Sequence, residues 1–381
     1  MPQIVSWIHF GDLHISNGED QNYRDFLSLI EEGNRLQSGI SFGLLPGDNA
    51  DDGEEDQYVL VQEAIGHCRF PVYAIPGDHD VASGGLGPFR QYLSRGLPRS
   101  LTLGAVHFVF LNSVYNWAPP VFGLGSGQMA WLRKDLAAAR EANQLVVVFM
   151  HAYPSEHGIE AGEIARLLME SRVLLVEMGH THYNELAHDG YTVFAATRST
   201  GQVEEGPPGF SIGTIDDGVV SWKFKPLGQS LTAVITSPSD ERLIVDRSSP
   251  AQLVRGLIEV RARVWGEGVQ DVTMSVDGTT SPMQPTGDGC TWRAEFDSRL
   301  VSDGSHSLDV TATTSAGTAV TDSVRILVNQ PGEYIQPARL PVDHENAFGA
   351  WREKHILGTQ LGPNENGHHW HSRHHAQRQI K

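Results

Sequence analysis

Five times in the first half of this chain, a short apolar, β-prone run stops and delivers aspartate or histidine. Ile8–His14 reads I-H-F-G-D-L-H and presents Asp12 and His14 after Gly11. Ile40–Leu45 runs into Pro46-Gly47-Asp48-Asn49, and Phe70–Ile75 into Pro76-Gly77-Asp78-His79-Asp80. The wholly apolar Leu145–Met150 delivers His151, and Val173–Met178 delivers Gly179-His180-Thr181-His182. Residues two apart on a strand project to one face, so an Asp-x-His pair at a strand end aims a carboxylate and an imidazole together. Hard oxygen with borderline nitrogen is a ligand set for a divalent metal such as Mn, Fe or Zn. One such pair is usually a loop feature; its recurrence in order is what points to a metal site.

Between the runs, Tyr23–Leu36 carries apolar residues at helical spacing, and a helix to about His67 follows the acidic stretch Asp51–Asp56. Gln128–Glu141, with Met129, Leu132 and Leu136 on one face, and Ile159–Met169 read as further helices. Strands alternating with helices predict an α/β layered fold, in which ligand sites gather beyond the strand ends. The glycine-rich Ala82–Pro88 is expected to be a flexible loop. Tyr191–Ala196, Gly209–Ile215 and Val219–Phe224 read as antiparallel strands closing this domain, with Asp216-Asp217-Gly218 as the last hairpin turn.

Composition changes near Pro226–Ser230. From Leu231 to Val328 the helix-period signal nearly vanishes, and short β-rich runs alternate with turns such as Asp277-Gly278. This spacing predicts an all-β sandwich of immunoglobulin-like architecture. Asn329–Lys381 is rich in Pro, Gly, Asn and His, and is expected to be a tail that wraps the body or is partly disordered. The expected division is therefore 1–228, 229–330 and 331–381.

With 28 basic and 46 acidic residues the net charge is −18, which argues against general nucleic-acid or anionic-membrane binding. A phosphorylated substrate stays compatible, because a local metal cluster overrides the distant field. Cys68 and Cys290 form no disulfide framework or zinc spacing. Met1 leads almost directly into the first strand and no apolar run nears membrane-spanning length, so the expectation is a cytoplasmic protein.

Across residues 1–225 the five blocks resemble the calcineurin-like metallophosphoesterases, whose pattern runs D-x-H, G-D, G-N-H-(D/E), H and G-H-x-H in this order. The resemblance implies a four-layer αββα sandwich and a dinuclear metal centre. Asp12, His14, Asp48 and His182 would hold one ion, and Asp48, Asp78, His151 and His180 the other, with Asp48 bridging. Mn, Fe or Zn would serve, a mixed Fe/Mn pair included. A water shared by the ions would be acidified into a nucleophile attacking a small phosphate ester, with a phosphodiester favoured over a phosphomonoester. His79 would assist the leaving oxygen, and Asp80 would fix the His79 ring or cap a turn. One departure stands out: the family usually has Asn where this chain has Asp78, which puts charge and substrate preference in doubt. A non-phosphate reaction at the same centre and a non-catalytic scaffold are the rival readings.

His9 and His107 sit inside strand patterns and read as structural, and Asn112 as a turn residue. Arg198, just after a strand, is a candidate phosphate ligand. The cluster His368, His369, His371, His374 and His375 reads as a solvated, adventitious metal site. No catalytic block falls in Leu231–Val328, so the C-terminal region is assigned to assembly, a homo-oligomer included, or to site access.

Overall fold

The computed structural model describes residues 4–36, 38–117, 120–202, 205–245, 249–333 and 350–357. Two sheets face each other in the N-terminal part. The first runs Val219–Pro226, Gly209–Asp216, Ile4–Phe10, Ile40–Leu45, Val72–Ala74. The second runs Glu185–His188, Val193–Ala196, Val173–Met178, Leu145–Phe149, Val106–Phe110, Arg99–Leu103. Their central strands are parallel and buried on both faces, which is why they read as continuous apolar runs in the sequence.

Aromatic side chains fill the space between the sheets. Trp7 lies 5.3 Å from Phe108 and 6.0 Å from both Phe42 and Phe149, centroid to centroid. Such pairs contribute about 0.5–1.5 kcal/mol each beyond their buried area. The helices Gln21–Arg35 and Glu55–Ile65 cover the outer face of the first sheet through Phe26, Leu29, Ile30, Tyr58 and Val61. Gly125–Glu141 and Ala161–Glu170 cover the second through Met129, Leu132, Leu136, Ile164 and Leu168. The result is the expected helix–sheet–sheet–helix stack. Among the described residues, no helix is long and apolar enough to cross a membrane.

Three expectations need correction. Val193–Ala196 does not close the domain beside the last hairpin; it pairs in parallel with Val173–Met178 in the second sheet, its four side chains all buried. Ala82–Pro88 runs into a helix, Gly87–Tyr92, which Pro88 starts well because its missing N–H is not needed there. The helix expected from Ile159 begins at Ala161; Gly158 takes φ +54° and Ile159 is left fully exposed. The described part of the tail, 350–357, packs on the body, one of the two expected alternatives: Trp351 and Ile356 join the core between the sheets. The histidine cluster at His368, His369, His371, His374 and His375 lies outside the described residues.

Leu231–Val328 forms two four-stranded antiparallel sheets around a core of its own. That unit is not loosely tethered. Val234, Trp265 and Cys290 pack into the core beneath the first sheet. Arg261 grips buried Asp216 with Nε and Nη2, both at 2.8 Å. Arg263 Nη1 donates to Ser6 Oγ at 2.7 Å and to the Gly39 carbonyl at 2.6 Å. Removing one partner of a buried ion pair strands the other charge, at a cost of about 3–5 kcal/mol. Arg261→Ala is therefore expected to lose about that much unfolding free energy in urea; a loss below about 1 kcal/mol, the scale of an exposed pair, would show that this contact does not hold the junction.

Candidate metal centre

The strand Ile4–Phe10 ends before Gly11, so Asp12 and His14 are not carried on extended backbone as their spacing suggested. Instead the chain turns, with His14 at φ 46°, and the amides of Leu13 and His14 both donate to the Asp48 carbonyl at 3.0 and 2.9 Å. Asp48, His180 and His182 are likewise left-handed, at φ 49°, 66° and 64°. Non-glycine residues pay roughly 1–3 kcal/mol each for sparsely populated backbone, which persists only where surroundings hold it. Here cross-loop hydrogen bonds do so.

Two glycines explain why the blocks carry them. A Cβ on Gly77 would come 2.1 Å from Asp48 Oδ1, and one on Gly179 2.0 Å from Asp12 Oδ1. Only a bare α-carbon lets those carboxylates pass against the neighbouring loop.

The seven residues expected to ligate metal come together in two adjoining groups. Donor atoms of Asp12, His14, Asp48 and His182 lie within 4.8 Å of one another, and so do those of Asp78, His151 and His180. His14 Nε2 and His182 Nε2 are 3.2 Å apart. Asp48 Oδ2 stands between the groups, 3.7 Å from His14 Nε2 and 3.4 Å from His151 Nε2.

Neighbours fix the histidine rings. His151 Nδ1 donates to the Pro46 carbonyl at 2.9 Å, which turns its Nε2 onto Asp48 and onto Asp78 Oδ1 at 3.2 Å. His14 Nδ1 meets Asp51 Oδ1 at 3.1 Å. His180 faces Asp78 with Nδ1 at 3.4 Å, and its Nε2 is 3.3 Å from Glu156 Oε1. Such outer partners set the tautomer and orientation of a ligating imidazole. Asp51 and Glu156 had not been singled out in the sequence. The one signal for Asp51 was its place in the acidic stretch three residues after Asp48; Glu156 gave none, because a loop brings it back.

The donor set fits a pair of cations. Burial pushes the Asp12 carboxyl up to about 7, and Asp12 Oδ1 has no hydrogen-bond donor among the described residues. Burial also lowers His182 to about 3, leaving a neutral ring with a lone pair to offer. Burial would raise Asp48 too, but the neighbouring His151 charge holds it down at about 2. At His151, a nitrogen already turned from its own N–H faces two carboxylate oxygens, a geometry that calls for a proton or a cation.

His79 lies beside the first group, half-buried, its ring centroid 4.5 Å from that of His14. Its Nδ1 donates to the Asp51 carbonyl at 2.6 Å, leaving Nε2 as the atom able to hand a proton outward. Burial favours its neutral form, but the Asp48 charge outweighs this, and its pKa is raised. Asp80 is not the group that fixes this ring. Its buried carboxylate accepts from the Asn49 amide, Asn49 Nδ2, the Ala50 amide, the Gly77 amide and the Tyr58 hydroxyl, at 2.7–3.2 Å. Asp80 thus ties the loop carrying Asp48 to the loop carrying Asp78.

Arg198 is buried rather than facing substrate: Nη2 donates to the His355 carbonyl at 2.7 Å and Nη1 to that of Pro207 at 3.3 Å. His9 bonds Thr197, His107 bonds Thr102 and Asp135, and Asn112 caps its own turn at Val114. Phe122, not anticipated, sets its ring edge-on to His180 at 4.7 Å and forms an apolar wall.

Comparison with known proteins agrees with this geometry. Residues 6–184 match the model of the calcineurin-like phosphoesterase family. It is 26% identical over 164 residues to a protein of Arcobacter nitrofigilis named probable glycerophosphodiester phosphodiesterase, covering 39% of this chain and 59% of that one. It is 22% identical over 230 residues to the 3',5'-cyclic adenosine monophosphate phosphodiesterase of Haemophilus influenzae, covering 56% of this chain and 84% of that one. The chain thus spans under two thirds of the Arcobacter protein's length. A dimetal phosphatase from Danio rerio superposes with a TM-score of 0.50 at 13% identity, over 59% of this chain and 97% of that one, so the two share the fold.

Each buried donor or acceptor left unpaired costs about 1–3 kcal/mol. Asp80→Ala strands several donors at once and is expected to lower the thermal midpoint sharply in calorimetry. An unchanged midpoint with lost activity would return Asp80 to a catalytic role.

Proposed function

We propose that this protein is a dinuclear metal-dependent hydrolase of small phosphate esters, with phosphodiesters favoured. The observation that carries the reading is the buried Asp48 carboxylate, standing between two groups of donors that suit one divalent cation each. Asp12, His14, Asp48 and His182 would hold one ion, and Asp48, Asp78, His151 and His180 the other. Two such ions would supply Lewis acidity toward water and phosphate oxygens.

The chain's own residues do the rest. His79, held through Nδ1 by the Asp51 carbonyl, protonates the leaving oxygen from Nε2. Phe122, with its ring 4.7 Å from that of His180 and 6.0 Å from that of His151, offers an apolar face to an organic substituent. The carboxylates among the expected ligands number three, Asp12, Asp48 and Asp78, one more than with asparagine at position 78. Arg198, the cation considered for phosphate, is spent on His355 and Pro207. Both features favour a singly charged diester over a dianionic monoester. The two relatives named for phosphodiester substrates agree in direction. In this reading residues 1–228 are the catalytic domain, 229–330 an immunoglobulin-like sandwich and 331–381 a C-terminal tail.

The test combines metal analysis with a panel of phosphate mono- and diesters. His79→Asn is expected to keep both ions and lose about 10²–10⁴-fold in turnover, the usual range for a general acid. Asp48→Ala is expected to lose metal and activity together, and full activity of a metal-free Asp48→Ala protein would sink the dinuclear reading.

Asp78→Asn removes one negative charge from the centre. Low local dielectric magnifies each charge, so attraction gains more for a dianion than for a monoanion. Monoester turnover should rise relative to diester turnover, with equal metal content verified on both proteins. An unchanged ratio at matched divalent metal would refute the charge explanation.

A further inference from the structure

The segment 350–357 folds back as a tight turn closed on itself. Trp351 N donates to the Ile356 carbonyl at 2.8 Å, and Ile356 N to the Trp351 carbonyl at 3.1 Å. Both side chains are buried in the core between the two sheets. The Arg242 guanidinium stacks 3.3 Å from the Trp351 ring centroid. Lys354 Nζ, buried, donates to both oxygens of Asp322 at 3.0 Å, and Lys223 Nζ donates to the same carboxylate at 3.0 Å. The turn is therefore pinned to the sandwich through Asp322, a carboxylate it shares with Lys223 of the first sheet.

At its tip His355 takes the left-handed conformation, φ 60°, and its carbonyl points at the catalytic domain. That carbonyl accepts from Arg198 Nη2 at 2.7 Å and from Asn184 Nδ2 at 3.0 Å. Asn184 Oδ1 in turn accepts from the Arg198 amide at 2.9 Å, closing a ring of three residues. The chain leaving Arg198 grips the metal loops directly. Ser199 Oγ and the amides of Thr200 and Gly201 all donate to the Asp12 carbonyl, at 2.9, 2.8 and 3.1 Å. Ser199 N reaches the His182 carbonyl at 3.4 Å, and Gln202 Nε2 lies 3.2 Å from His14 Nδ1. The Arg198 carbonyl presses on Gly11, where a Cβ would sit 1.8 Å away. Any movement of Arg198 is thus passed to Gly11 and Asp12.

We propose that the turn at 350–357 is a strap that positions the Asp12, His14 and His182 side of the metal centre, acting through the His355 carbonyl on Arg198 and Asn184. The inference rests on the dinuclear reading above. Arg198 and Asn184 are positioning residues here, touching neither substrate nor metal. The second group, Asp78, His151 and His180, has further anchors of its own at Pro46 and Glu156, while only the His180 amide reaches Asp12, at 2.7 Å, so the strap should weaken the first ion more than the second.

The test is Mn²⁺ titration by calorimetry of the full-length protein, its Trp351→Ala, Trp351→Phe and Arg198→Lys variants, and His182→Ala as the marker for the first position. Loss of an outer partner typically weakens metal affinity about 10–100-fold, and that loss is expected for one ion in Trp351→Ala and Arg198→Lys. The weakened ion should be the one His182→Ala loses, and Trp351→Phe should restore it. Binding of both ions as in the native protein by the first two variants overturns the strap, and so does equal weakening of both ions. If Trp351→Ala does not fold, Arg198→Lys decides, because it keeps the charge and most of the packing while losing the fork. A native protein that fails to take two ions would defeat the dinuclear reading and this inference with it.

Discussion

Everything near the site follows from packing like charges where water cannot screen them. Asp12 and Asp48 are fully buried, Asp78 stands beside them, and imidazole nitrogens crowd the same few ångströms. Carboxylates so placed are costly unless cations or protons share the space. The same packing demands unusual backbone. Side chains from five loops can converge on one point only if several loops turn sharply, hence the left-handed conformations of His14, Asp48, His180 and His182.

Such strained loops need bracing, and the bracing is where this chain spends its other buried polar groups. Asp80 gathers donors from two loops, Asp51 holds His14 and His79, and Glu156 reaches His180. On the far side, Arg198 and Asn184 connect the Asp12 loop to the turn at His355, 157 and 171 positions beyond them in the chain. Buried polar networks of this kind rigidify when fully satisfied.

The sandwich belongs to the same logic. Arg261 on Asp216, Arg263 on the edge of the first sheet, and Asp322 between two lysines seal the β-rich unit onto the catalytic layers. Trp265 and Cys290 even enter the core beneath the first sheet. A unit joined by buried charges and shared core is not free to tumble on a linker, so the composition change near Pro226 marks a change of architecture more than of mechanical independence.

How much was legible in the sequence follows from the range of each interaction. Strands of both sheets showed as apolar runs, because burial on two faces leaves no room for polar residues. The residues expected to ligate metal stood out as well, since they follow strand ends, with a glycine fixed by close approach in every run but that of His151. The role of Asp80 did not show: its neighbourhood to His79 in the chain suggested an orienting contact, whereas folding turns it away and gives that task to Asp51. Arg198 looked like a phosphate ligand because its place after a strand cannot reveal that a distant carbonyl will claim it. Val193–Ala196 found its sheet by long-range pairing with Val173–Met178, which no local pattern encodes. Local chemistry, carried by neighbours in the chain, was written in the sequence; which distant partner satisfies each buried group was decided only by tertiary packing, because that choice depends on what the fold brings within hydrogen-bond reach.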